Sequence, residues 1–354
     1  MPGLSSEESV APAKPKGVLR TGWSARTEDY PIAGGWALGG DLLVVGDAAG
    51  GVYGFAGKSG ELEWVARDVH QEGLLSLDVS PDGVTVATVG QDGRLVLLHA
   101  ADGGVARAID VGEGWVEHVS WAPSGERLAV SCSREVCVFD TQGAELWRSE
   151  AHPSTVSAIA WASDDELATA CYGRVAFFAV GDGSLAQSLE WKGSLVSLVL
   201  SPDGDIVACG SQDNTVHFWR RSTGEDSMMS GYPSKPSALA FDESGTLLAT
   251  NGGELVTVWS FDGNGPEGTS PGSLELHVRP VTALAFAHRG MRLASGGRDG
   301  AVTVWSVARD GQGDAIGVAI LEDVVGSLLW RPDGRGLVAL DAEGGVTAWR
   351  VRSK

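Results

Sequence analysis

Short runs of alternating apolar and polar residues recur along the chain, and one of them returns eight times. The run closes as Val52-Tyr53-Gly54-Phe55, Val96-Leu97-Leu98, Val136-Cys137-Val138-Phe139, Val175-Ala176-Phe177-Phe178, Val216-His217-Phe218-Trp219, Val256-Thr257-Val258-Trp259, Val302-Thr303-Val304-Trp305 and Val346-Thr347-Ala348-Trp349. Its final positions are spaced by 39 to 46 residues. Period-2 alternation is the signature of a strand, and a fixed period of this length marks a repeat architecture.

Each repeat carries a second landmark, an apolar or aromatic residue followed by a tight turn. Examples are Val79-Ser80-Pro81-Asp82-Gly83, Trp121-Ala122-Pro123-Ser124-Gly125, Leu200-Ser201-Pro202-Asp203-Gly204 and Trp330-Arg331-Pro332-Asp333-Gly334. Proline presets φ, aspartate bonds its own backbone and glycine accepts positive φ, so these segments predict hairpins. A second turn, such as Gln91-Asp92-Gly93 or Arg298-Asp299-Gly300, leads into the strand that ends in Trp or Phe, and a more polar fourth strand follows. Four short antiparallel strands per period, with no helical stretch between them, predict an all-β fold: an eight-bladed β-propeller. Small residues on the inner strands, including Ala158, Ala160, Ala238, Ala240, Ala283 and Ala285, mark convergence on the axis. Large residues such as Trp36, Trp161, Phe241 and Trp330 should fill the space between blades.

The chain ends test the count. The last repeat stops after its third strand, and Val18-Leu19-Arg20-Thr21-Gly22-Trp23 belongs to no repeat. Pairing that segment with the last blade closes the ring and removes its edges. Seven blades, with the divergent first repeat outside the ring, is the alternative. Residues 1–16, rich in Ser, Pro, Ala and Lys, read as a disordered tail without the apolar segment of a secretory signal, and residues 17–354 as the propeller.

Composition narrows the function more than the fold. No run of 18 apolar residues occurs, and the formal charge of −20 argues against nucleic acid and anionic membranes. The charge is uneven: residues 279–354 hold 10 basic and 8 acidic side chains, whereas residues 1–278 hold 16 and 38. Cys132, Cys137, Cys171 and Cys209 lack paired metal-ligand spacing and fall in or beside strands. They read as buried free thiols of a cytoplasmic protein.

On these repeats, the chain from residue 17 to 354 resembles a WD-repeat propeller. The resemblance implies a structural tetrad of His, Ser or Thr, Asp and Trp in each blade. The seventh repeat carries it whole as His277, Ser295, Asp299 and Trp305. The second has His70, Thr88 and Asp92 with Leu98 in place of Trp, and the fourth has His152 and Thr169 with a shortened turn. The fifth has Asp213 and Trp219 with Cys209 at the hydroxyl position, and the sixth Thr250, Glu254 and Trp259. The first repeat, Leu43 to Trp64, resembles instead the blade of quinoprotein-like propellers, although no adjacent Cys pair supports quinone chemistry.

Candidate sites follow from departures from the repeat. His118 is the one large polar residue in a ring otherwise filled by Ala33, Ser76, Ala158, Ser197, Ala238, Ala283 and Ser327, and Asp78 on the neighbouring inner strand is the one acid at its position. Alternation predicts an Asp78–His118 contact in the central channel. Two such ligands do not complete a metal sphere, so no metal is expected. Trp115, Trp191, Tyr232 and Arg279 lie in loops of the channel-mouth face and are of the types that anchor interfaces. Arg292 and Arg298 belong to a basic set with Arg289, Arg331, Arg335, Arg350 and Arg352, joined by Arg20 on closure, that could orient a partner. No GxSxG, HExxH or phosphate-binding loop is present. The expectation is a non-enzymatic WD-repeat scaffold with one or more protein partners and no cofactor, nucleic acid, membrane or small-molecule substrate. A ligand- or metal-sensing propeller using the channel is the alternative.

Overall fold

The computed structural model describes residues 16–263 and 265–352. Most of the expected N-terminal tail lies outside that range, although Lys16 already pairs with Val318. The described chain folds into eight antiparallel sheets, one per repeat, so the eight-bladed ring is the observed architecture. It contains no α-helix, only a 3-10 turn at Leu38–Gly40, and hence no helix long and apolar enough to cross a membrane.

Blade one runs through Pro31–Ala37, Leu42–Asp47, Val52–Ala56 and Leu62–Ala66, from the axis outward. Blade seven is Val281–Phe286, Arg292–Gly297, Ala301–Val307 and Gly313–Ile320, with Lys16–Gly17 added outside. In blade four the second and third strands run together as Glu166–Ala179, the physical outcome of its shortened turn.

Blade eight is built from both ends of the chain. Val325–Trp330, Gly336–Asp341 and Gly345–Val351 come from the last repeat, and Leu19–Arg26 supplies the outer strand. Leu19 pairs with Val351 and Arg26 with Gly345, with a bulge between Thr21 and Ser24. Leu19 is fully buried against Val302, Trp349 and Val351, beside Val18.

The core is distributed between blades, because each sheet has an apolar face toward both neighbours. Leu74, Leu77 and Val96 of blade two pack on Val44 and Val52 of blade one, and comparable clusters fill the other interfaces. All four cysteines are buried and free, which raises the Cys137 thiol to about 12. Outer strands add a repeated clasp. Trp64 lies against Gly103 in the turn of blade two and donates its indole N–H to Ala100 O at 3.0 Å. Trp23 does the same across the closure, lying against Gly60 of blade one and donating to Gly57 O at 3.1 Å. The N-terminal strand therefore works as a true outer strand, down to its contact with the next blade.

Candidate functional site

Antiparallel strands bring two sets of loops to one end of each blade: those entering the inner strand and those joining the second and third strands. At this channel mouth, in blades two and seven, a histidine stands four positions before the first paired inner-strand residue, at the tetrad histidine position. In blade seven the tetrad is complete. His277 Nε2 lies 2.8 Å from Ser295 Oγ, its Nδ1 lies 3.1 Å from Asp299 Oδ1, and Trp305 donates to Ser295 Oγ at 2.8 Å. Asp299 also accepts the backbone N–H groups of Val278 and Ala301. Burial pushes the Asp299 carboxyl up, but these donors outweigh it and its pKa is lowered.

The other blades keep the position and change the chemistry. His70 bonds Asp92 and Thr88 at 2.9 and 3.0 Å. His152 bonds Thr169 at 2.9 Å and, lacking an aspartate, reaches the Arg134 carbonyl at 2.9 Å instead. In blade six Tyr232 takes the histidine's place: its hydroxyl is 2.8 Å from Thr250 Oγ1 and accepts the Trp259 indole N–H at 2.9 Å. The ring covers Gly252, whose φ of +152° and lack of Cβ leave the room, since a Cβ there would stand 2.5 Å from the ring. In blade five Trp191 fills the position and stacks on His217 at 3.8 Å between centroids.

Trp191 and Tyr232 therefore do not extend toward a partner as expected. They turn into their own blades, and spacing could have revealed it. Eighteen positions separate Tyr232 from Thr250, as they separate His277 from Ser295. Replacing Tyr232 by Phe leaves the Trp259 N–H without its acceptor. We expect a loss of about 1–3 kcal/mol, read from urea denaturation, with the Trp259→Phe background abolishing most of it.

His217 is buried, and both of its ring nitrogens lack a hydrogen-bond partner. It is enclosed by Trp191 and by Trp219 at 4.3 Å, although Nε2 is 3.2 Å from Asp226. Burial holds its pKa down to about 4 against the pull of Asp226. A folded-state value below the ordinary imidazole range means the neutral ring is favoured, so this contribution is present above pH 6.5 and lost as pH falls toward 4. Between pH 7 and 4.5 we expect roughly 2–3 kcal/mol of acid-dependent loss from this residue. Paired denaturation curves of wild type and His217→Phe at both pH values test it; equal acid losses in the two proteins would refute the assignment.

The channel pair is also corrected. Among the described residues no hydrogen bond or ion pair joins Asp78 to His118. Asp78 accepts the Val79 N–H at 2.9 Å and the Trp121 N–H of blade three at 2.8 Å, while burial raises its carboxyl to about 6. Trp121 lies three residues beyond His118, about 10 Å along the strand, so facing alternation does not bring the two side chains level. Burial lowers the His118 pKa, opposed in part by the Ser157 backbone of blade four. Thr282 similarly reaches the Val325 carbonyl of blade eight at 2.5 Å. Polar residues of the inner ring thus tie blade two to blade three and blade seven to blade eight. No group of three or more His, Cys, Asp or Glu side chains among the described residues is placed to hold a metal.

The basic set does not form one surface. Arg298 follows the strand Arg292–Gly297, bonds Pro280 O through its backbone N–H, and so lies near Arg279 at the channel mouth. Arg292 begins the same strand, about 20 Å away at the opposite face. Arg331, Arg335 and Arg350 lie toward that far face, with Arg20 directly opposite Arg350.

Beside Arg279 and Arg298, exposed apolar side chains project at the channel mouth. Trp115 is 53% exposed, Tyr172 56%, Val278 74% and Tyr30 39%. Backbone bonds fix all four in channel-mouth loops: Ser133 N–H to Trp115 O, Tyr172 N–H to Ser154 Oγ, Val278 N–H to Asp299 and Ala48 N–H to Tyr30 O. Trp115 was legible in the sequence. Tyr30 and Tyr172 were not, because neither occupies a repeat landmark.

The ring of eight blades defines a β-propeller, and blade seven carries one complete His-Ser-Asp-Trp tetrad. Comparison with protein families matches the WD domain, G-beta repeat, at residues 183–220 and 268–306, the second span containing the complete tetrad. The chain is 24% identical over 339 residues to actin-interacting protein 1 of Caenorhabditis elegans, covering 92% of this chain and 54% of that protein. It is 23% identical over 311 residues to telomerase protein component 1 of Mus musculus, covering 82% of this chain and 12% of that protein. The chain thus spans about half the length of the first relative and a small part of the second. A crystal structure of the computationally designed Ika8 protein shares the fold, with a TM-score of 0.80 at 21% identity, over 94% of this chain and 99% of the design. These matches support a WD-repeat propeller.

Proposed function

We propose that this propeller is a non-enzymatic scaffold that holds protein partners on its channel-mouth face. The observation that carries the reading is the placement of Tyr30, Trp115 and Tyr172, exposed aromatics of three different blades, at the same end of the ring. Exposed apolar side chains mark interaction surfaces, and aromatics dominate binding energy where they occur. The first blade's quinoprotein-like repeat fits this reading as packing: Asp47 is fully buried and accepts from Tyr53 OH at 2.8 Å and Gly51 N–H at 2.9 Å, an internal network in place of a tetrad.

Nucleic acid is not excluded as part of the assembly, since a relative is named as a component of telomerase. The acidic balance of this chain favours protein contacts over direct phosphate contacts. Affinity capture with wild type and a Trp115→Ala, Tyr172→Ala variant tests the proposal. We expect the variant to lose the main partners, since each anchor is worth about 2 kcal/mol or more at an interface. An unchanged set of captured proteins, from a variant with an unaltered melting temperature, would overturn it.

A further inference from the structure

The seam between the last and first blades holds a cavity of about 340 Å³, within the range of ligand pockets, roughly 300–1,000 Å³. Trp23, Trp36 and Trp349 line it together with Lys58, Arg331 and Arg335, and Arg350 stands at its edge. Four cations and three indoles therefore meet at one place on a chain of formal charge −20.

Part of this charge is neutralised internally. Asp41 lies 3.3 Å from Lys58 and 3.8 Å from Arg331, and Asp333 lies 3.7 Å from Arg331. Arg331 also donates to Gly40 O at 3.1 Å and stands 5.9 Å over the Trp36 ring. Arg335 and Arg350 have no acid within 4.0 Å among the described residues, and Arg350 faces Arg20 directly across the strand pair. Like charges opposed in this way are destabilising until an anion separates them.

The indole N–H of Trp36 adds a second observation. Trp330 and Trp161, at the same place in their blades, donate to Ala285 O and Ser120 O of the neighbouring blade at 2.9 and 3.0 Å. Trp36 Nε1 is buried without a partner, as is Trp121 Nε1 at the same place in blade three, but of the two only Trp36 lines the cavity. Buried donors are almost always satisfied, so an unpaired one beside an open cavity points to an acceptor supplied from outside.

From this geometry we propose that the seam cavity binds an acidic segment of a protein partner. An apolar or aromatic side chain of that segment enters among the three indoles, its carboxylates meet Arg335 and Arg350, and a backbone carbonyl takes the Trp36 N–H. The inference rests on the scaffold reading and adds a second contact surface to it, on the side away from the exposed aromatics. A short acidic segment suits the site better than a nucleic acid. An extended polyanion would have to continue past four cations onto an acidic surface, and phosphate binding needs a longer basic track.

The test is an array of ten-residue peptides, each with one Leu, Phe or Trp among Asp and Glu, followed by fluorescence titration of the best binder. Wild type should bind it saturably, more weakly as salt rises. Arg335→Glu with Arg350→Glu should weaken binding at least ten-fold, and Trp36→Phe should weaken it several-fold. Arg279→Glu, a reversal on the channel-mouth face, should leave it unchanged. Absence of any saturable peptide, equal binding by the seam and control variants, complete displacement by millimolar inorganic phosphate, or tighter binding of a single-stranded oligonucleotide would each overturn the proposal. Melting curves of the variants show that the ring is intact. If partners captured from the native source are the same for wild type and the seam variant, the seam inference fails while the scaffold reading stands.

Discussion

Deleting residues 17–26 is expected to open the ring and cost the protein most of its stability. The segment contributes six strand-pair positions to blade eight, buries Val18 and Leu19, and supplies the Trp23 clasp onto blade one. Two buried aliphatic side chains account for about 1.5–3 kcal/mol each, and the half-buried Trp23 adds part of a full tryptophan's burial. The sum approaches the roughly 5–15 kcal/mol by which native proteins exceed their unfolded chains. The deletion also exposes the Gly345–Val351 edge, a template for unwanted pairing. Thermal melting should show a broad transition far below that of wild type, with aggregation. Removing residues 1–15 leaves every pairing described above in place and should shift the midpoint little. A synthetic peptide of residues 17–26 should restore much of the loss in trans. A sharp, near-native transition for the 17–26 deletion would mean that closure contributes little.

The second large effect is expected at Trp305. Its ring packs with Leu247, Leu274, Val281 and Leu293, joining blades six and seven, while its N–H completes the tetrad through Ser295. Trp305→Ala removes both and should cost about 3–5 kcal/mol. Trp305→Phe keeps most of the apolar contact and should cost nearer 1–2 kcal/mol, because Ser295 still has His277. A double-mutant cycle of Trp305→Phe with Ser295→Ala should give a coupling of about 0.5–3 kcal/mol. Equal losses for the Phe and Ala variants, with no coupling, would remove the hydrogen bond from the account and leave packing alone.

Strand number, blade number and ring closure were legible in the sequence because each depends on local signals. Alternation fixes which side chains face a neighbouring sheet, and Pro-Asp-Gly turns fix where a hairpin reverses. The unpaired run from Val18 to Trp23 could only be satisfied by the blade that lacked a strand. The tetrad of blade seven was legible for the same reason, as residues at set spacings within one repeat.

The candidate site was less legible, because the direction of a loop side chain depends on the blade around it. Tyr232 and Trp115 both read as large aromatic loop residues. Tyr232 turns inward because Thr250 and Trp259 offer its hydroxyl two partners and Gly252 leaves space for the ring. Trp115 remains outside, three residues past the equivalent position. Asp78 and His118 looked like partners because alternation says which face a side chain takes but not how far along the axis the next blade is displaced. Arg292 and Arg298 were near in sequence and proved to be at opposite ends of one strand. The seam cavity combines residues from both ends of the chain, and no local pattern announces such a meeting.

Sharing blade eight between the two ends also constrains how the protein is made. Leu19–Arg26 is synthesised long before its partner Gly345–Val351. At about 5–20 residues per second, translation of the intervening segment takes roughly 15–65 s. Throughout that interval the growing array has a free edge at each end and a strand with nothing to pair with. Seven blades can stack as they emerge, but the eighth waits for Gly345–Val351. A product truncated before Gly345 would carry an open edge by which it could be told from the closed ring.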